Sequence, residues 1–223
     1  MGSGLFMNIS KSKIGLIVGM LAVVIFGGIL LKKNSAKTPA EKPPRFIDEV
    51  LAEMGVNAFA DQKFWVYAQT KVGGGKTSLI EAFQQQRLLK VRLTKGLDER
   101  GITAEVDFHK SAIADLFKVG QNPYTERTTE KRCPAELLPK VTKVKNYQML
   151  SLYAGNRFEA GACRLREVVY KGYIFFLQNV DSTELMQIEF YIPYQESAEA
   201  VEKLVATLPS HFKPIELKNW SID

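Results

Sequence analysis

The most overt chemistry in the chain sits at Gly75-Lys76-Thr77, which close a run of three glycines. A nucleotide-binding loop needs GxxxxGK[ST], because its backbone N–H groups wrap phosphates, its lysine neutralises them and its hydroxyl holds magnesium. Here Thr70 occupies the first glycine position, and the apolar run ending in Gln178 and Asn179 offers no aspartate for the metal. The motif reads as a flexible turn, so no nucleotide and no other cofactor is expected. Cys133 and Cys163 are the only cysteines, each beside an arginine. Flanking cations favour a reactive thiolate, but no CxxC partner is present. A structural disulfide between them is the expectation for an oxidising compartment, with free buried thiols as the alternative. His109 and His211 are the only histidines, and neither belongs to an HExxH or to a cluster at ligand spacing, so no metal site is expected. No GxSxG elbow presents a serine, and the adjacent acids Asp48-Glu49 and Asp98-Glu99 point apart on any regular element. No catalytic residue is assigned.

What remains is recognition. Arg87, Lys90, Arg92, Lys95 and Arg100 form a basic stripe, and Arg127, Lys131 and Arg132 a second cluster. Acidic residues interrupt or face both, which argues against a nucleic-acid partner. The polar run 120–133 (GQNPYTERTTEKRC) reads as a long loop carrying Tyr124 and Arg127. With Tyr191 and Tyr194, expected to be exposed, these form a candidate partner-binding surface, since loops and tyrosines are common in contacts.

The elements that must hold these residues follow from periodicity. Apolar residues at i, i+1, i+4, i+5 and i+8 predict a helix over 46–54, and 64–68 reads as a strand rich in aromatics. Ser78-x-x-Glu81 has capping-box spacing and predicts a short helix to about Gln86. Leu89, Val91 and Leu93, then Ile102, Ala104, Val106 and Phe108, alternate as two strands of a hairpin, with Arg92 facing Glu105 and Lys90 facing Asp107. A helix over 111–117 and a short one over 134–138 follow, then a strand over 147–153. A second hairpin is expected from 165–170 and 173–178 around Lys171-Gly172, a strand from 186–192, and an amphipathic helix from 198–208.

Residues 14–31 are uncharged, with Lys11 and Lys13 before them and Lys32 and Lys33 after. As a helix they would span about 27 Å, close to a hydrocarbon core. No small-x-small cleavage pattern follows, so a retained anchor is expected and not a cleaved signal peptide. Gly15 and Gly19 form a GxxxG compatible with a homodimer of anchors, although glycine at this spacing is also ordinary in such a segment. Residues 32–44 read as a Pro/Lys tether after a short tail, 1–13, and before a soluble domain, 45–223. The formal net charge of +6 concentrates here: six lysines before Arg45 face one acid, so the tail carries +5 and the domain only +1. The positive flank count favours a cytoplasmic domain. The usual signal-anchor arrangement and the cysteine pair favour an extracytoplasmic one, which is the expectation.

The expected architecture is α+β: a single N-terminal transmembrane helix, then one antiparallel sheet of about six to seven hairpin-connected strands covered by helices. The expected function is a membrane-anchored, non-catalytic protein-binding module of the cell envelope. An immunity-type inhibitor of a toxin is the first candidate and an assembly component of a secretion apparatus the second. A different class, an envelope hydrolase with catalytic residues scattered in sequence, stays open.

Overall fold

The chain divides after Pro43 into two units, and the fold below belongs to the second, Pro44–Asp223. The structure, a computed structural model, describes residues 43–117, 135–158 and 165–217. The expected anchor at 14–31, with Gly15 and Gly19, lies outside them. Among the described residues no helix is long and apolar enough to cross a membrane.

Strand β1 (Arg45–Phe46) leads into helix α1 (Ile47–Ala52), then β2 (Trp65–Val72), β3 (Thr77–Gln84), β4 (Arg87–Lys95) and the long helix α2 (Glu99–Phe117). After these come β5 (Lys140–Val144), β6 (Tyr147–Ala154), β7 (Tyr170–Asn179), β8 (Glu184–Pro193), helix α3 (Glu199–Ala206) and β9 (Phe212–Pro214). All pairings are antiparallel, in the order β1-β2-β3-β4-β8-β7-β6-β5. Strand β6 borders the first half of β7 and β9 borders its end, from Leu177 to Asn179. Two meanders thus meet at the β4–β8 ladder, and the chain passes from the sheet centre to its far edge by way of α2.

Alternation along the strands builds two cores. On one face Ile80, Leu89, Val91, Ile188 and Phe190 join Ile47, Val50 and Leu51 of α1 and Val201, Leu204 and Val205 of α3 in one buried cluster. On the other, Ile102, Val106 and Ile113 of α2 cluster with Leu150, Leu152, Phe176 and Leu185. Full burial of each such side chain contributes about 1.5–3 kcal/mol. Strands β7 and β8 are largely apolar on both faces because they lie at the centre between other strands, with α2 packed on part of one face and α1 and α3 on part of the other.

The expected sheet of six to seven helix-covered strands is corrected by this architecture. The described fold is mostly antiparallel sheet, with nine strands and three helices. Two of the helices have six and eight residues, too little to cover the sheet. The expected helix over 78–86 is strand β3. Its capping-box spacing is only a local pattern, whereas Ile80 and Ala82 alternate into the core and the strand pairs with β2 from Thr77 to Phe83 and with β4 along its whole length. The expected strand over 102–108 is the middle of α2. Ile102, Val106 and Ile113 are buried at helical spacing while Phe108 is 66% exposed, and Asp98 Oδ1 accepts from the Gly101 N–H at 2.8 Å as an N-cap. The expected hairpin at Lys171-Gly172 is uninterrupted strand β7. Glycine is needed there for space: a Cβ would come within 2.8 Å of Tyr191 Cε1 and 2.9 Å of Leu152 Cδ1.

Candidate functional site

Alternation also sets a polar patch into the face that α2 occupies only in part. Register aligns Ala68, Glu81, Lys90 and Glu189 in one row across β2, β3, β4 and β8. Thr70, Leu79, Arg92 and Gln187 form the next row. Together these residues line a cleft of about 350 Å³.

The charges of the cleft are matched among themselves. Lys90 Nζ lies 3.3 Å from Glu81 Oε1, and the Tyr67 hydroxyl donates to Glu81 Oε2. The two oxygens of Glu189 accept separately, Oε1 from Gln187 Nε2 at 3.0 Å and Oε2 from the Tyr191 hydroxyl at 3.1 Å. Burial and the adjacent carboxylates push both tyrosine hydroxyls up, so each stays protonated and donates. At the α2 border Arg92 Nη1 stands 3.5 Å from Glu105 Oε1, which also meets His109 Nε2 at 3.2 Å. Burial, with help from the Arg92 charge, pushes His109 below its ordinary value despite the opposing pull of Glu105 and Glu189.

One group is left over. Gln187 is 5% exposed, its Nε2 is engaged by Glu189, and its Oε1 is the one buried side-chain oxygen or nitrogen without a partner among the described residues. An unmet buried acceptor costs about 1–3 kcal/mol. Gln187 lines the cleft, so a bound molecule whose donor reaches this covered oxygen would offset that cost. Beside the cleft, the Tyr67 ring stacks on Phe83 with centroids 4.9 Å apart and remains 55% exposed.

The residues expected to bind a partner fare differently. Tyr191 is 3% exposed, not a surface residue: its ring lies over Gly172 and its hydroxyl supports Glu189. Tyr194 is 37% exposed, with its ring 5.8 Å from that of Tyr153 and Lys171 Nζ above it. Tyr124, Arg127, Cys133 and Cys163 lie outside the described residues. The three glycines form the β2–β3 turn, with φ of 60°, 66° and 88°, and a strand follows them. That turn therefore lacks the helix N-terminus that a phosphate loop uses. Four members of the basic stripe, Arg87, Lys90, Arg92 and Lys95, each meet a carboxylate: Glu196, Glu81, Glu105 and Glu184. No group of three or more metal-capable side chains exists among the described residues.

Sequence reasoning missed Glu81, Gln187 and Glu189. The available signal was Gln187 and Glu189 in a strand whose other residues are nearly all apolar. Polar groups on a central strand require partners.

Comparison with protein-family models, with curated proteins and with solved structures gives no match for this chain.

Proposed function

We propose that this chain is a membrane-tethered, non-catalytic module that binds another protein in the cell envelope through the outer edge of β2. The observation that carries the reading is the state of that edge. Strand β1 pairs only with Trp65 and Val66, and beyond them no strand pairs with the outer side of β2 among the described residues. The same strand exposes Trp65 at 45%, Tyr67 at 55% and Val72 at 40%. An open edge supplies backbone donors and acceptors to an added strand, and tryptophan and tyrosine supply contact area at little entropic cost. Attachment to the bilayer rests on the uncharged run 14–31 with lysines on both flanks. The cleft carboxylates Glu81 and Glu189 are each engaged by neighbouring side chains, which supports a binding role.

Affinity capture with the full chain from detergent extract tests the reading. A stoichiometric protein partner is expected with the native sequence, and at least ten-fold less of it with Trp65→Ala/Tyr67→Ala. No partner, or equal recovery by the double variant, contradicts it. Identification of the captured protein separates a toxin from a component of a secretion apparatus.

A further inference from the structure

We infer that the cleft over β2, β3, β4 and β8 is a second binding site, sharing only Tyr67 with the β2 edge, and that it takes a neutral, hydroxyl-rich ligand, a saccharide. The two sites are separated by geometry. Gln187 lies three strand spacings from β2, about 14 Å, beyond the reach of any side chain on a strand added outside β2. Whatever meets Gln187 must lie on the sheet face.

The lining specifies the ligand's chemistry. Gln187 Oε1 needs a donor, and its own Nε2 is held away by Glu189. In the same row the ion pair of Arg92 with Glu105 is a long one, at 3.5 Å, which leaves donors to offer toward an acceptor. A group that both donates and accepts meets both needs, and a hydroxyl does so with one atom. The lining sets two acids against two bases, Glu81 and Glu189 against Lys90 and Arg92. They therefore present no net field to select a phosphate or a polyamine. The exposed Tyr67 ring, fixed by its bond to Glu81 and by stacking on Phe83, offers an apolar platform for the C–H face of a sugar ring. The cleft's volume of about 350 Å³ is within the range of small-ligand sites. A peptide satisfies the pattern less well, because it offers one backbone donor per roughly 3.3 Å and a lone strand on a sheet face leaves other backbone groups unmet.

Calorimetric titration of the full chain, held in a detergent without a sugar headgroup, tests this. The probes are cellobiose, maltose and di-N-acetylchitobiose, with inorganic phosphate and a capped triglycine as the alternatives. At least one disaccharide is expected to bind with Kd below 10 mM, roughly a calorimetric limit, and at least ten-fold more weakly to Gln187→Met and to Tyr67→Ala. Gln187→Met removes the unpaired oxygen at similar volume, and a melting curve establishes that each variant is folded. If a variant does not fold, the other carries the test. The inference is overturned if no disaccharide binds, if both variants bind as the native protein does, or if only phosphate or triglycine titrates. Capture of a protein partner by Gln187→Met is a separate readout, so the β2-edge reading and this one fail independently.

Discussion

In the seam between α2 and the sheet, the charge state of His109 is set by what surrounds it. His109 lies in the buried stripe of α2 between Val106 and Ile113, with 11% of its side chain exposed. It faces Glu105 on its own helix, Arg92 on β4 and Glu189 on β8. Its folded-state value lies below the ordinary 6.5, so the unfolded chain binds the proton more tightly. Stability linked to this residue is therefore complete above about 6.5 and is lost as pH falls from there through the depressed folded value. Denaturant midpoints of the native protein are expected to fall between pH 7.5 and 5.5. His109→Gln keeps a donor toward Glu105 without a titrating group and is expected to flatten that dependence. Equal slopes for the two proteins would contradict the role given to His109. Glu184, held low by Lys95 and Asn179 despite its burial, acts only below its ordinary 4.5 and so outside this window.

At the scale of elements, Gly172 shows how a local signal misleads. Lys-Gly between two apolar runs looks like a hairpin turn, yet the glycine is mid-strand, where the Tyr191 ring and Leu152 leave no room for a Cβ. Gly172→Ala is expected to cost about 1–3 kcal/mol through overpacking, measured by denaturant unfolding. A variant as stable as the native chain would show that Tyr191 is free to move aside. Strands β4, β6 and β8 were legible in the sequence because a two-residue period is imposed by burying one face or both. The helices α1 and α3 were legible from their apolar stripes. Helix α2 was not: Ala104 and Phe108 completed a false alternation, and only the cap at Asp98 and the spacing of Ile102, Val106 and Ile113 revealed the true period. The Arg92–Glu105 pair inferred for a hairpin does form, but from helix to sheet. Lys90 meets Glu81 instead of Asp107, which bonds Lys110. Strands β1, β5 and β9 have two, five and three residues, too short for a pattern to separate them from loops. The cleft was illegible for a related reason. Its members come from four strands, and only the register between non-sequential neighbours such as β4 and β8 brings them together.

For the whole molecule, charge and edges divide the labour. The basic excess belongs to the N-terminal tail, beside the uncharged run at 14–31, and the domain that follows is close to neutral. Such a domain gains little from long-range steering, so its recognition depends on short-range contact surfaces. The sheet ends in two edges of different character. Along β5, Lys140 and Lys143 stand among valine and threonine in a five-residue strand, and such edge lysines resist strand addition. Along β2, the eight-residue strand is largely exposed and carries Trp65 and Tyr67. The most direct test of the central claim is photo-crosslinking in living cells from a reactive residue placed at Gln69 on β2, with the same residue at Lys143 on β5 as the comparison. A discrete crosslinked protein from position 69 and none from position 143 is the predicted result. Equal crosslinking from both edges, or none from either, would contradict the account.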